Sequence, residues 1–197
     1  MMYKVMMRIF GDLTSETRNK LQWDGIAEFS TTNDYVGKRI SEILARFGSH
    51  CIDATACVGG MTRFLAQTFE HVIAYEIDDD RFEFLKHNMQ VLDLKNVECI
   101  HGDCLDLKTQ TDVLFIDPPW GGPGYKYAES VHLSLSGKEL YEVCDLLSKF
   151  ARYIAVKVPV NFDEKHFTQN LMKCEPYQKI QFFKMNILIL KTCLLTT

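Results

Sequence analysis

From about residue 50 onward, short apolar runs alternate with segments whose apolar residues recur every three or four positions. The runs 50–54, 71–76, 97–101, 113–117 and 152–158 have the length and apolar, β-branched content of buried strands. Between them, residues 60–69, 79–92, 138–150 and 164–174 predict helices. In the second of these Phe82, Leu85, Met89 and Leu92 share a face, and in the third Leu140, Tyr141, Cys144, Leu146 and Leu147 lie to one side. Residues 179–184 and 186–191 predict two closing strands joined through Met185, an antiparallel hairpin at one sheet edge. Strand–helix alternation predicts an α/β fold with a mostly parallel, seven-stranded sheet covered on both faces. Residues 1–32 are more polar and irregular and predict a short helical arm belonging to the same domain as residues 33–197. No repeat, low-complexity tract or linker divides the chain.

Bulk properties narrow the class. The length of 197 residues suits one domain with a real core, and 47% hydrophobic against 24% charged residues is ordinary for a globular protein. No run is long and apolar enough to span a bilayer, and residues 1–10 lack the order of a secretory signal. Seven cysteines without paired spacing read as reduced thiols of an intracellular protein, nuclear or cytoplasmic and not secreted. None of the six histidines stands at a metal-ligand spacing, so no metal is expected. A net charge of −4 argues against gripping a long duplex, so a nucleic-acid partner would be met at one end or one nucleotide.

Four places carry chemistry. In Asp53-Ala54-Thr55-Ala56-Cys57-Val58-Gly59-Gly60, a strand ends in a glycine turn that opens a helix. Such a turn brings backbone N–H groups close to a ligand, but the spacing for a dinucleotide is absent. Asp53 beside it suits a ligand with an amino-acid end and a positive sulfonium; a plain strand-to-helix turn is an equal account of this stretch alone. Glu76 ends the second strand, where a carboxylate can accept two ribose hydroxyls; Asp78 is its competitor, and Asp79 and Asp80 read as helix capping. Asp103 follows the third strand and could accept an adenine amine, though alone it would pass for a solvated turn residue. All three acids fall outside the carboxyl ends of successive strands, where ligands of open α/β sheets bind.

The fourth place is Asp117-Pro118-Pro119-Trp120-Gly121-Gly122-Pro123 with Tyr125. Two prolines stop the strand Val113–Ile116 and stiffen the loop that leaves it. The two glycines after Trp120 remove side chains that would bury it, which favours a stacking platform over a core tryptophan. A cationic purine gains about 0.5–2 kcal/mol by stacking on indole. Lys126, Lys138, Arg152 and Lys157 read as solvated charges more than substrate contacts, though those near the loop could still meet phosphates.

Together these stretches resemble the class I S-adenosylmethionine-dependent methyltransferases and, more narrowly, the RNA cap guanine-N2 methyltransferase family, over roughly residues 8–191. The resemblance implies a Rossmann-like fold, S-adenosylmethionine as cofactor and a 7-methylguanosine-capped RNA as partner, with no membrane and a monomeric enzyme. It implies cofactor contacts for Phe10, in Arg8-Ile9-Phe10, and for Thr32, Asp53, Gly59, Glu76, Asp103 and Asp117. It implies substrate contacts for Ser30, Asn88, Trp120 and Tyr125, with Asp117, Pro118 and Trp120 as the catalytic group. The chain departs from the family at Cys57, where a glycine is usual, at Asp117, where serine is common, and at Val160, where a phosphate-holding arginine is usual. The alternatives are an N6-adenine or guanine-N2 methyltransferase of other RNA or DNA, and a non-catalytic cap-binding module.

Overall fold

The computed structural model describes residues 10–25, 27 and 32–193. Seven main strands form the mixed, mostly parallel sheet of the expected Rossmann-like α/β class. The chain divides into two compact units, Met1–Cys104 and Leu105–Thr197.

In the first unit the described residues form α1 (Ser15–Arg18), α2 (Asp34–Leu44), β1 (His50–Asp53), α3 (Thr62–Thr68), β2 (His71–Glu76), α4 (Asp79–Val91) and β3 (Val97–His101). The strands run parallel in the order β3-β2-β1, with Ile52 opposite Ile73 and Ala74 opposite Cys99. Cys51, Ile52, Val72, Ile73 and Ala74 are buried, as a parallel sheet covered on both faces requires. Helix α2 is an addition to the elements that periodicity predicts; Asn33 caps it by accepting Tyr35 N, and Ile40, Ile43 and Leu44 bury one stripe. Asp78 caps α4, its Oδ1 accepting Arg81 N. The described part of the arm carries the expected short helix, Ser15–Arg18, which Thr14 caps by accepting Thr17 N. The buried Arg18 holds it by donating to the carbonyls of Phe10, Gly11 and Leu13.

The second unit contains β4 (Thr111–Ile116), β5 (Ser134–Leu135), β6 (Lys138–Glu139), α5 (Leu140–Leu147), β7 (Ala151–Pro159), α6 (Glu164–Asn170), β8 (Cys174–Gln181) and β9 (Met185–Thr192). Its main strands order as β4-β7-β9-β8, the first pair parallel and the last two antiparallel, giving the expected edge hairpin. Two expectations shift. Residues 138 and 139 pair with β5 through Ser136 and Gly137, both at positive φ, so α5 starts two residues late. Helix α6 ends at Asn170, and Cys174 already belongs to β8, a longer strand than the sequence suggests. Among the described residues no helix is long and apolar enough to cross a membrane.

Candidate functional site

The first unit gathers the acids that end β1 and β2 around one turn. Asp53 is fully buried at the end of β1; its Oδ2 accepts the Thr62 hydroxyl at 2.7 Å, tying the strand end to the first residue of α3. The turn is fixed to the neighbouring strand by Ala56 N donating to Tyr75 O at 2.9 Å. Cys57 stands at φ 51, a left-handed backbone position that favours glycine. Gly59 has φ +90, and a Cβ there would lie 2.3 Å from Met89 Cε. Glycine is thus favoured at 59 by the backbone conformation, and a methyl there would also displace the flexible end of the Met89 side chain.

Glu76, 7% exposed, accepts from Cys57 N at 2.8 Å through Oε2, and from Asp78 N and Arg81 Nε through Oε1. These donors fix the carboxylate in place and tie it to the turn. Gly102 N donates to Glu76 O, so the loop carrying Asp103 is anchored to the end of β2. Burial, with the neighbouring Asp103 carboxylate adding to it, pushes the Cys104 thiol up to about 12. Carboxylates at the ends of β1 and β2 and after β3 form a donor-accepting set, suited to the ammonium, ribose hydroxyls and adenine amine of S-adenosylmethionine.

Three other expected contact residues, Asn88, Phe10 and Thr32, are buried. Asn88 is 1% exposed: its Oδ1 accepts Gln22 N, and its Nδ2 donates to Gln22 O and Val58 O, all at 2.8 Å. Its amide is committed to backbone at both ends and buttresses the turn. Phe10 is buried in a cluster with Leu21, against Leu13, Trp23, Val91 and Leu92. Thr32 is buried as well. Ser30 lies outside the described residues, as do Arg8 and Ile9 of the Arg-Ile-Phe element. Sequence reading misses Arg63, 1% exposed, whose guanidinium holds Asp12 and Asp34 at once and lies 3.9 Å from the Phe64 ring centroid. Those partners stand 51 and 29 residues away, so no local pattern shows them.

The second unit presents the proline-rich loop. It leaves β4 at Asp117, and Pro118 is buried while Pro119 is exposed. Gly121 and Gly122 have φ 82 and 75, a left-handed pair open only to glycine at no cost, which turns the chain directly after Trp120. The indole is half-buried, with the Tyr125 ring meeting it edge-on at 5.1 Å and 83°. Its Nε1 has no hydrogen-bond partner among the described residues. Asn161 Nδ2 donates to the carbonyls of Tyr125 and Ala128, locking the far side of the loop.

Lys157 corrects the sequence reading. The parallel register of Ile116 with Val156 sets Asp117 beside Lys157, whose Nζ lies 2.5 Å from Asp117 Oδ2. Lys157 is 3% exposed, so it is a buried partner and not a solvated charge. Burial pushes the Asp117 carboxyl up, against the pull of the Lys157 ammonium. The available signal is a lone lysine inside the apolar run Ile154–Val158. Val160, by contrast, is exposed and offers no charge where the family has arginine.

One further cluster is invisible to spacing. His132, Glu139 and His166 each bring a potential metal-ligand atom within 4.8 Å of the others. Glu139 there closes the capping box of α5, and Asp163, 3.6 Å from His132, caps α6.

Residues 48–194 match the family model described as RNA cap guanine-N2 methyltransferase. The chain is 32% identical over 146 residues to uncharacterized protein L320 of Acanthamoeba polyphaga mimivirus, covering 71% of this chain and 57% of that protein. It is 30% identical over 159 residues to trimethylguanosine synthase of Schizosaccharomyces pombe (strain 972 / ATCC 24843), covering 70% and 62%. The chain therefore spans about three fifths of the length of these curated relatives. The tRNA m1G37 methyltransferase of M. jannaschii shares the fold at TM-score 0.57 and 14% identity, over 82% of this chain and 50% of that one.

Proposed function

The chain belongs to the RNA cap guanine-N2 methyltransferase family, and from that premise we propose that it methylates the exocyclic N2 of a 7-methylguanosine RNA cap. The fold is that of a class I methyltransferase, and it carries a place for S-adenosylmethionine. That cofactor supplies an electrophilic methyl group on a sulfonium sulfur. The residues that would hold it are Asp53, Glu76 and Asp103, with the Cys57–Gly59 turn pressing its backbone toward the ligand.

The observation that carries the substrate reading is the loop Asp117–Gly122. Its tryptophan is half-buried, steadied by Tyr125, and followed at once by two left-handed glycines. A 7-methylated purine is cationic, and the face of an indole attracts it by about 0.5–2 kcal/mol. Pro118 and Pro119 restrict the backbone, so the platform is ordered before substrate arrives. Catalysis is then mainly positioning: the amine nitrogen must be held about 3–3.5 Å from the methyl carbon and in line with the bond that breaks. A loop carbonyl accepts one amine hydrogen and turns the nitrogen lone pair away from the ring. No strong base is needed before attack, because the amine becomes acidic only once methylated and then gives up one proton to solvent, leaving the neutral methylamine and the thioether.

Mass spectrometry of m7GpppG, GpppG and an adenosine oligomer after incubation with S-adenosylmethionine tests this reading. Methyl transfer to m7GpppG alone is expected. Equal transfer to GpppG or to adenosine would move the assignment to another amino-methyltransferase class. No transfer, with heat of binding for m7GTP but none for S-adenosylhomocysteine, would make the chain a binding module.

A further inference from the structure

The central strand β7 contains one charged residue between Ile154 and Val158, and it is buried. Taking both members of an ion pair out of water is costly, and well-packed apolar residues usually serve stability as well or better. The surroundings of Lys157 are therefore informative. Its ammonium sits 2.5 Å from Asp117 Oδ2 and 5.4 Å from the centroid of the Trp120 ring. With no partner for Nε1 among the described residues, the edge of the Tyr125 ring and the Lys157 ammonium are contacts that orient the indole. An ammonium on one face of an indole draws on the same π density that would attract a cation on the other. Uncompensated, it would also repel that cation through the ring. A carboxylate beside it cancels most of that repulsion.

Resting on the cap-guanine reading above, we propose that Lys157 and Asp117 form a specificity-determining positioning pair. They hold the indole of Trp120 while placing no net charge beneath it, so the platform retains its preference for cationic N7-methylated guanine over neutral guanine. Neither group needs to touch the substrate for this. Lys157 acts through Trp120, and Asp117 acts through Lys157.

The test is the ratio of m7GTP to GTP affinity, measured by calorimetry on the full chain. Asp117→Asn leaves a positive charge under the ring and should lower the ratio about 5- to 20-fold, from Coulomb's law for charges roughly 9 Å apart at an effective dielectric of about 20–40. Lys157→Met leaves a negative charge and should raise the ratio by a similar factor. Each is compared with wild type at the same pH, mildly acidic for the first and mildly alkaline for the second, so that the remaining group stays ionised. The double variant should return near the wild-type ratio, as should the charge-conserving Asp117→Glu/Lys157→Arg. A pair that merely supports the fold would weaken both ligands together and leave the ratio still; that result, or two single variants moving it in the same direction, overturns the inference. If one single variant does not fold, the sign of the other and the return of the double decide. A wild-type chain that does not distinguish m7GTP from GTP overturns the cap-guanine reading and this inference with it. A wild-type preference that no variant moves overturns this inference alone.

Discussion

Replacing Asn88 by alanine separates two accounts of that residue. Its side chain makes three hydrogen bonds of 2.8 Å, to both backbone groups of Gln22 and to the carbonyl of Val58. Alanine leaves those three backbone groups without partners. A buried group so stranded costs about 1–3 kcal/mol, and the two at Gln22, being nearer solvent, fall at the low end. The sum is about 3–5 kcal/mol, which for a chain of this size lowers the melting temperature by roughly 6–20 °C. Because Val58 lies in the turn that ends β1, affinity for S-adenosylhomocysteine should fall as well. Asn88→Asp should do no better: it keeps an acceptor for Gln22 N but turns a carboxylate toward two carbonyl oxygens. Differential scanning fluorimetry and calorimetry with S-adenosylhomocysteine give both numbers. A variant melting within about 2 °C of wild type that has lost affinity for m7GTP would refute the reasoning and return Asn88 to the base-contacting role the family resemblance implies.

Gly59→Ala should destabilise by about 1–3 kcal/mol in urea unfolding, since φ is +90 and the new methyl would meet Met89 Cε at 2.3 Å. Cys57→Gly relieves a left-handed backbone at φ 51 and should stabilise by up to about 1 kcal/mol in the same assay. Stability should decline on the alkaline side: burial pushes the Cys99 thiol up to about 11 and those of Cys104 and Cys174 up to about 12. Above the usual thiol value near 9 the unfolded chain releases these protons first and is favoured, so the contribution is whole below about pH 9 and is lost between there and about pH 12, visible in melting curves against pH. For the same reason these three thiols should alkylate slowly at neutral pH while the exposed Cys193 reacts first, as peptide mass spectrometry would record.

The strands at 71–76 and 97–101 are legible to the residue, because each is a short β-prone run bounded by turn chemistry; the first is buried along most of its length, while the second lies at the sheet edge and is half-buried to exposed. Helix α2 carries a signal that apolar-run periodicity alone passes over: Asn33 as cap and Val36, Ile40, Ile43 and Leu44 at helical spacing. The β5–β6 hairpin likewise has its Ser136-Gly137 turn in plain view. What the chain order does not display is pairing at a distance. Lys157 and Asp117 stand 40 residues apart, and only the register of β4 against β7 brings them together. Asn88 looks like a ligand residue for a related reason: a polar residue on a helix beside a binding turn is ambiguous until its partners are known, and here they are backbone groups 66 and 30 residues away. The loop 117–122 is the most legible part of the candidate site, since proline and glycine announce their backbone constraints directly.

A crystal structure of the chain with S-adenosylhomocysteine and m7GTP tests the central claim most directly. The methylated guanine should lie flat on the Trp120 face turned away from Lys157, its N2 directed at the sulfur. A base bound elsewhere with that indole face uncovered would contradict the account.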